Sequence, residues 1–472
     1  MAVFVLFLLL FVNLNYVQFF HGAKYRNNNL NKRVQLQAYE RERGAIVVDG
    51  KAIALSVPTK DELKYLRKYP AGRLYAPVTG YKSLLYNSTG IEKAEEAVLS
   101  GDDDRLFVRR VSDIVTGRRP VGGSVVLTLR EQVQAAAYEA LGNRAGAVVA
   151  MDPKTGGILA MVSRQSYDPN PLASHDVDVE RKAWNKLQAD PDKPMLNRAL
   201  RETYPPGSTF KVVVSAAALA NGYSPSSKIP AGLSYTAPGT TTAIRNFAGE
   251  NCSGDPTTLL SALTVSCNTA YARLGVQLGA DKVAGQARAF GFDKDAPAVP
   301  LPTVNSTFGS PADAPSLAQS SIGQRDVRMT PLQGAMIAAG VANNGVVMKP
   351  YLVREITGPD LSILDTTKPE EFSRATTPEV AAQLQQLMVS VVDNGTGKAA
   401  QLPGVTVGGK TGTAQNGGGR QDTLWFIGYA MVNNTPVAAV AVVLDQSGGR
   451  SAEATRIAGT VLQAAVNARG GN

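Results

Sequence analysis

Ser208 and Lys211 are the first side chains in the sequence whose types and spacing suit covalent chemistry. They follow a Pro-Pro-Gly break, and the apolar run at 212–220 predicts a helix that begins near Ser208. A lysine three residues after a serine returns to the same helix face, so a desolvated amine there can serve as the base for a serine nucleophile. The bare S-x-x-K pattern arises by chance about once or twice in a chain of this length, so the prediction depends on the helix start.

A second pair, Ser266 and Asn268, lies between two apolar helical stretches at 259–265 and 269–278. A hydroxyl and an amide two residues apart at such a junction can both face a cleft. Taken alone, the pair is more simply interpreted as a helix cap, since serine and asparagine are favoured at that position.

The third motif is Lys410-Thr411-Gly412-Thr413, within a strand predicted to begin near residue 405. A lysine cation beside threonine hydroxyls can bind a carboxylate, and Gly412 would let a substrate backbone approach the strand closely. The same tripeptide occurs at 154–156, where an Asp-Pro turn accounts for it. The tripeptide alone is therefore a weak signal.

Composition excludes several classes of function. The chain has 472 residues, a formal net charge of +9 and 44% hydrophobic residues, which excludes wholesale disorder. With two histidines and two cysteines, a Cys/His zinc site lacks ligands, and we expect no metal and no cofactor. Lysine and arginine are dispersed, without a basic run that interleaves aromatic residues, so nucleic acid is not an expected partner.

The order S-x-x-K, S-x-N, K-T-G resembles the penicillin-recognising active-site serine superfamily. Over most of its length the chain resembles class B penicillin-binding proteins, and within them the actinobacterial penicillin-binding protein A group. Further stretches similar to this family are Arg43-Gly44-Ala45-Ile46, Tyr75-Ala76-Pro77-Val78-Thr79-Gly80, Tyr167-Asp168-Pro169-Asn170, Leu172-Ala173-Ser174-His175, Asn197-Arg198-Ala199, Glu202-Thr203-Tyr204-Pro205-Pro206-Gly207, Gly323-Gln324 and Met329-Thr330-Pro331-Leu332-Gln333.

The resemblance implies a peptidoglycan D,D-transpeptidase that cross-links stem peptides ending in D-Ala-D-Ala in cell wall synthesis and cell division. Ser208 would attack the penultimate D-Ala carbonyl, and Lys211 would accept its proton. Ser266 would relay a proton to the leaving D-Ala, while Asn268 would bond Lys211 and the substrate amide. Stem peptides and β-lactam antibiotics are the implied ligands.

The same resemblance assigns the third motif to the substrate carboxylate. Lys410, Thr411 and Thr413 would hold it, and the backbone N–H groups of Ser208 and Thr413 would form the oxyanion hole. Each donor of an oxyanion hole contributes about 3–4 kcal/mol to catalysis. Whether the lysine after the serine is the acylation base is disputed in the superfamily, and we expect that role for Lys211.

Three alternatives share the motifs. A class A β-lactamase would need a glutamate that opens an E-x-x-L-N segment between the second and third motifs, and none of the glutamates there does: Glu355, Glu370, Glu371 and Glu379. A D,D-carboxypeptidase differs mainly in its acceptor and stays open. A β-lactam sensor or inactive scaffold also stays open, although a sensor would be expected to carry several membrane spans.

The domain organisation follows from composition and resemblance together. We expect a transmembrane anchor at 1–21, a juxtamembrane linker at 22–34, a mixed α/β N-terminal pedestal of dimerisation type at 35–143, and a transpeptidase unit at 144–472. The last is of the α/β (α+β) class, with an antiparallel sheet flanked by helices. Strand-like runs at both of its ends predict that its termini meet in one sheet.

The N-terminal apolar run at 2–12 favours an uncleaved anchor, although a cleaved signal peptide stays open. The expected location is the cell membrane, single-pass, with lipid around the helix and the catalytic unit outside the cytoplasm. Basic residues follow the run and none precedes it, which opposes this topology by the positive-inside rule. A glycosyltransferase of the division or elongation machinery is the expected protein partner.

Cys252 and Cys267 are separated by fifteen residues, and Cys267 lies inside the second motif. A disulfide between them would contribute about 3 kcal/mol by closing that loop. Two reduced core thiols are the alternative. His175 is expected to be a loop residue without a catalytic role.

Overall fold

The computed structural model describes residues 2–17, 39–107, 116, 121–297, 299–445, 447–448 and 452–470. The predicted linker at 22–34 lies outside these residues. The helices are α1 (Ala2–Tyr16), α2 (Gly72–Thr79), α3 (Gly90–Ala94), α4 (Glu96–Ser100), α5 (Glu131–Leu141), α6 (Val177–Ala189), α7 (Arg198–Arg201), α8 (Lys211–Leu219), α9 (Leu259–Thr264), α10 (Asn268–Leu278), α11 (Ala280–Phe290), α12 (Ala314–Ser320), α13 (Pro331–Ala342), α14 (Pro378–Asp393) and α15 (Ala452–Gly470). The strands are β1 (Ile46–Val48), β2 (Lys51–Pro58), β3 (Tyr65–Lys68), β4 (Ser124–Leu127), β5 (Gly146–Met151), β6 (Ile158–Arg164), β7 (Lys228–Ile229), β8 (Ser234–Thr236), β9 (Ala243–Arg245), β10 (Thr257–Thr258), β11 (Val346–Met348), β12 (Val353–Thr357), β13 (Ile363–Thr366), β14 (Glu371–Arg374), β15 (Thr406–Ala414), β16 (Thr423–Val432) and β17 (Thr435–Leu444).

Helix α1 covers the apolar N-terminal run, and none of its residues is buried against the rest of the chain. Among the described residues, no helix is both long enough and apolar enough to span a bilayer.

The hairpin of β1 and β2 forms where Asp49-Gly50 predicts one. Both turn residues have positive φ, 45° at Asp49 and 76° at Gly50, which suits a tight turn between right-twisted strands. Ile46 and Val48 of β1 are buried, so the turn chemistry and the hydrophobic pattern agree.

The N-terminal sheet takes strands from both sides of the expected boundary at 143. Its order is β13-β12-β4-β1-β2-β3, with β4 parallel to β1 and antiparallel to β12. The hairpin at 353–366 thus completes a sheet that otherwise belongs to the N-terminal unit. Strand β4 has buried apolar side chains and hydrogen-bonds to β1 on one side and to β12 on the other, and the sequence pattern specifies neither pairing.

Buried charges hold this sheet to the helices beside it. Glu92, at 0% exposure, accepts hydrogen bonds from Arg43 Nε and Arg67 Nε at 2.6 Å each. Arg43 also contacts Glu96, and Tyr69 donates its hydroxyl to Glu92. The carboxylate is matched by two guanidinium groups, so each buried charge has an opposite partner.

The sheet of the expected transpeptidase unit, called the catalytic sheet below, is antiparallel throughout, in the order β15-β16-β17-β5-β6. Strand β17, near the end of the chain, pairs with β5, at the start of the unit, so the prediction of adjacent termini is confirmed. Alternate residues of the central strands face opposite sides, and both sides are covered. Helices α13 and α14 pack on one face, and α5 and α15 pack on the other.

Helix α5 (Glu131–Leu141) lies within the residues assigned to the N-terminal unit, but it packs on the catalytic sheet. Val133, Ala137 and Leu141 join the apolar cluster of α15. The run at 131–141, which Gly142 closes, predicts a helix with the observed bounds, but the sequence contains no information about which sheet its apolar stripe covers.

Candidate active site

Ser208 lies in a 3-10 turn, Gly207–Phe210, that continues directly into α8. Gly207 has a φ of +52°, and a Cβ on it would come within 2.5 Å of the Thr413 carbonyl oxygen. Its N–H donates to the Gly323 carbonyl at 2.9 Å. A glycine is needed here because the serine turn is pressed against the end of β15, which brings the first and third motifs together.

Lys211 is fully buried, with its amino group enclosed by oxygens of the second motif. Its Nζ donates to the Ser266 carbonyl and to Asn268 Oδ1, at 2.7 Å each, and lies 3.4 Å from Ser266 Oγ. Burial, followed by the charge on Lys410, holds the pKa of Lys211 well below its ordinary range. A neutral amine has two N–H groups and one lone pair, so the two carbonyl oxygens leave the lone pair available for a proton.

Ser266 connects the two lysines. It stands between α9 and α10 with a φ of +64°, a left-handed conformation that is uncommon for serine. Its Oγ accepts from Lys410 Nζ at 2.9 Å, in addition to the contact with Lys211. The capping interpretation of this pair is wrong for both side chains, because each is turned toward a lysine.

Lys410 is also fully buried, on the edge strand β15 of the catalytic sheet. Its Nζ contacts the Thr411 carbonyl at 2.9 Å, and burial lowers its pKa to about 7. A carboxylate bound beside it would favour the charged form and raise that pKa again. An anionic ligand would therefore convert Lys410 to its charged form.

Gly412 lies against the serine turn. A Cβ there would lie 2.7 Å from the Pro206 carbonyl and 2.9 Å from Thr209 Cγ2. The missing side chain thus makes room for the protein's own serine turn, and the approach of a substrate backbone to this strand stays a prediction.

Cys252 and Cys267 form a disulfide, which closes the loop that precedes the second motif. Cys267 is also the N-cap of α10, with its sulfur 3.4 Å from the N–H of Ala270. The disulfide joins the start of α10 to the segment that precedes β10 in the chain.

His175 bonds residues outside the cleft. His175 bonds Asp61 through Nδ1 at 2.6 Å and the Tyr65 carbonyl through Nε2 at 3.1 Å, both on the N-terminal unit. Across the described ranges, no group of three or more His, Cys, Asp or Glu side chains could hold a metal ion. The second K-T-G, at 154–156, lies in the turn between β5 and β6.

The sequence of residues 146–465 matches the penicillin binding protein transpeptidase domain, and residues 43–125 match the penicillin binding protein A dimerisation domain. The chain belongs to the penicillin-binding protein transpeptidase family. The matched residues include all three motifs, so the predicted resemblance to class B penicillin-binding proteins is confirmed.

Close relatives cover nearly the whole chain. A protein of Mycolicibacterium smegmatis named Peptidoglycan D,D-transpeptidase PbpA is 47% identical over 458 residues, 95% of this chain and 93% of the relative. The Mycobacterium tuberculosis protein of the same name is 43% identical over 477 residues, 99% of this chain and 97% of the relative. A ceftriaxone acyl-enzyme complex of penicillin-binding protein A from M. tuberculosis superposes with a TM-score of 0.89 at 43% identity, covering 91% of this chain and 100% of that one.

Three residues in contact with the motifs were not singled out from the sequence of this penicillin-binding protein. Tyr271 places its ring under Lys211 Nζ, 5.5 Å from the ring centroid. Thr396 bonds Thr411, hydroxyl to hydroxyl, at 2.6 Å. Asn246 bonds the backbone of Asn268 at 3.0 Å. Tyr271 was accessible to sequence reasoning, since it lies three residues after Asn268 on the same helix face, but the other two depend on contacts between distant segments.

Proposed function

We propose that this protein is a peptidoglycan D,D-transpeptidase, which cross-links stem peptides that end in D-Ala-D-Ala during cell wall synthesis. The observation that carries the proposal is the convergence of two buried lysines on one hydroxyl, with Lys211 and Lys410 both in contact with Ser266 Oγ. Relatives named as D,D-transpeptidases over nearly the full length support it.

In the acylation step, Ser208 Oγ attacks the carbonyl carbon of the penultimate D-Ala while its proton passes to the lone pair of Lys211 Nζ. Negative charge on the carbonyl oxygen is held by the backbone N–H groups of Ser208 and Thr413. The peptide C–N bond then breaks, and Ser266 Oγ passes the proton to the nitrogen of the departing D-Ala. Asn268 keeps Lys211 in place through its Oδ1.

Substrate recognition depends on the terminal carboxylate. Lys410, together with the hydroxyls of Thr411 and Thr413, binds that group at the edge of β15, which fixes the peptide along the strand. An amine of a neighbouring stem peptide then attacks the Ser208 ester. The new amide forms as the ester C–O bond breaks, and the amine proton returns Ser208 to its hydroxyl form.

Fluorescent penicillin labelling tests the nucleophile. The wild-type protein is expected to be labelled covalently, and Ser208→Ala is expected to lose the label. The matched control is Ser362→Ala, because Ser362 lies in an exposed turn and donates its hydroxyl only to Asp360. Absence of label on the wild type, or equal labelling of Ser208→Ala, would contradict the proposal.

A second assay separates transfer from hydrolysis. With a pentapeptide donor and a labelled D-amino acid, a transpeptidase exchanges the terminal residue, whereas a carboxypeptidase only releases D-Ala. We expect exchange in the wild type and neither product from Ser208→Ala. Release without exchange would make the protein a carboxypeptidase and leave the acylation chemistry standing.

The N-terminal run is proposed to anchor the protein in the cell membrane, with the transpeptidase unit outside the cytoplasm. Support comes from the apolar character of α1, whose side chains are exposed along its length. The full chain should sediment with membranes and resist alkaline carbonate, and a chain that lacks residues 1–21 should be released. Release of both the full and the shortened chain from the membranes would contradict the proposal.

The N-terminal unit is proposed to hold a glycosyltransferase of the division or elongation machinery next to the catalytic cleft. The match of residues 43–125 to a dimerisation domain supports a role in protein contact. Site-specific photo-crosslinking from exposed positions of β2 and β3 in cells should capture a membrane glycosyltransferase, and crosslinking from α15 should not. Equal capture from both surfaces would contradict the proposal.

A further inference from the structure

The segment at 231–252 lies against the N-terminus of α10, beside the second motif. It contains the small hairpin of β8 and β9 and ends at Cys252, which bridges to Cys267. Gly232 accepts a hydrogen bond from Thr269 Oγ1 at 3.0 Å, so the segment contacts α10 at both of its ends. The segment itself is not part of the three motifs.

Asn246 is the most extensively bonded side chain of this segment, and it is only 7% exposed. Its Oδ1 accepts from the backbone N–H groups of Asn268 and Thr269, both at 3.0 Å. Its Nδ2 donates to the carbonyls of Gly232 and Glu250, at 3.0 and 2.9 Å. An amide has two acceptor positions and two donors, so Asn246 uses its full capacity.

Asn246 performs the capping of α10 from a distant segment. The first N–H groups of a helix have no partner within the helix, and the residue before it usually accepts from them. Here that residue is Cys267, whose sulfur is engaged in the disulfide and is a weak acceptor. Asn246 Oδ1 supplies the stronger acceptor to the first two residues, Asn268 and Thr269.

The neighbouring residue fixes how the Asn268 amide is turned. Asn268 Nδ2 donates to the Arg245 carbonyl at 3.1 Å, which points Oδ1 the other way, toward Lys211 Nζ at 2.7 Å. A rotated amide would present N–H groups to the N–H groups of Lys211, and the contact would be lost. The backbone of 245–246 therefore determines which end of Asn268 faces the lysine.

We propose that Asn246 is a positioning residue for acylation: it holds the first turn of α10, and with it the Asn268 amide, so that Asn268 accepts a hydrogen bond from Lys211. Asn246 itself does not touch the lysine or the substrate. Its effect on the reaction passes through Asn268, and it rests on the proposed role of Lys211 as the base.

Without Asn246, the Asn268 amide loses its fixed orientation and the Lys211 amine loses one of two acceptors. The lone pair is then no longer directed, and a misplacement of about 1 Å in a reacting group reduces rates by about 100-fold. An accepting oxygen also stabilises an ammonium more than a neutral amine, so its loss makes Lys211 easier to deprotonate.

The test is the second-order rate constant for acylation of the full chain by fluorescent penicillin, measured across the acid limb of the pH profile. Asn246→Ala is expected to lower the rate about 10- to 100-fold and to move the acid limb to lower pH. Asn246→Asp keeps an acceptor for both N–H groups, and its charge favours the ammonium. It loses the two donor bonds to the Gly232 and Glu250 carbonyls, so it should recover part of the rate, with the acid limb at or above the wild-type position.

The matched control is Asn170→Ala. Asn170 also bridges two segments, accepting from the Tyr69 N–H at 2.9 Å and donating to the Tyr69 carbonyl at 3.0 Å, but it does so beside the N-terminal unit. This control should leave both the rate and the acid limb unchanged. If Asn246→Ala does not fold, Asn246→Gln replaces it, because it keeps the amide and displaces it by one methylene. Asn246→Gln is then expected to lower the acylation rate and to move the acid limb to lower pH, as Asn246→Ala would.

An Asn246→Ala rate within about twofold of wild type would overturn the proposal. So would a reduced rate with an unmoved acid limb and no recovery by Asn246→Asp, because that result indicates a structural role only. Failure of the wild type to be labelled would instead count against the proposed function, so the two failures are distinguishable.

Discussion

The buried charges of the N-terminal sheet and those of the catalytic cleft are arranged in opposite ways. In the sheet, Glu92 accepts from Arg43 and Arg67, and the pKa of Glu92 is lowered to about 2 by the two arginines, against the opposing effect of burial. In the cleft, Lys211 and Lys410 face neutral oxygens of the second motif and of β15, and burial lowers the pKa of both.

The difference separates a structural use of buried charge from a chemical one. A buried ion with an opposite partner stays ionised, and removing the partner is costly. A buried lysine that has only neutral acceptors tends to give up its proton, which makes it a base at neutral pH. Substitutions in the two regions test this difference.

Lys211→Met should abolish the chemistry and spare the fold. The acylation rate is expected to fall about a thousandfold or more, because the proton of the Ser208 hydroxyl loses its proposed acceptor. The free energy of unfolding should stay equal or rise, since a desolvated amine is replaced by an apolar side chain of similar length. Stopped-flow labelling and urea unfolding measure the two effects.

Lys154→Met is the control for this variant, since Lys154 belongs to the second K-T-G and lies exposed in a turn. It should change neither quantity. Acylation of Lys211→Met within about tenfold of wild type would remove Lys211 as the base.

Glu92→Gln should destabilise the fold and spare the chemistry. It leaves the buried guanidinium of Arg67 without its anion and Arg43 paired with Glu96 alone, and it is expected to destabilise the protein by about 3–5 kcal/mol in urea unfolding. The folded fraction should acylate at the wild-type rate. Asp178→Asn, which removes an exposed pair with Arg181, should cost less than about 1 kcal/mol. Equal effects of the two variants would mean that burial does not distinguish these ion pairs.

Local signals in the sequence predicted much of this molecule. Asp49-Gly50 between apolar runs predicted the first hairpin, and the apolar runs of β5, β16 and β17 predicted strands, because each signal is contained within a few neighbouring residues. The three motifs were also assigned correctly to one cleft. That assignment came from their order and resemblance, and spacing alone could not have made it.

Contacts between distant segments could not be predicted in this way. The hairpin at 353–366 completes the N-terminal sheet, and α5 covers the catalytic sheet, although neither pattern specifies its partner. Gly412 illustrates the same limit within the site, since its neighbour is the serine turn some two hundred residues earlier in the chain. Asn246 acts on α10 from a segment whose sequence resembles an ordinary loop.

Both regions should gain stability as the pH rises, but in different pH ranges. The pKa of Glu92 is lowered from 4.5 to about 2, so its contribution to stability is present above pH 4.5 and is lost as the pH falls toward 2. The pKa of Lys410 is lowered from 10.5 to about 7, so the unfolded chain binds more protons than the folded one between those values. Stability therefore gains from this group as the pH rises from about 7 toward 10.5.

Thermal unfolding against pH, in wild type and single variants, measures these slopes. Glu92→Gln should flatten the loss of stability on the acid side, and Lys410→Met should remove part of the gain on the alkaline side. An alkaline slope unchanged in Lys410→Met would show that this lysine keeps an ordinary pKa in the folded protein. That result would contradict the difference between the buried lysines of the cleft and the paired charges of the N-terminal sheet.

Thr396→Val should have the smallest effect and should act on one side of the cleft only. The valine keeps the shape of the side chain but removes the hydroxyl that bonds Thr411 Oγ1 at 2.6 Å. The loss of one hydrogen bond, about 1 kcal/mol, corresponds to roughly a fivefold lower acylation rate. Thr367→Val, which removes a hydroxyl bonded to the Val353 carbonyl, is the control and should leave the rate unchanged.

Because Thr411 is placed on the carboxylate side with Lys410, the effect of Thr396→Val should vanish for a donor peptide whose terminal carboxylate is replaced by an amide. Equal losses with both peptides would mean that Thr396 supports the strand as a whole, and that the neutral oxygens around Lys410 do not tune its response to an anionic ligand.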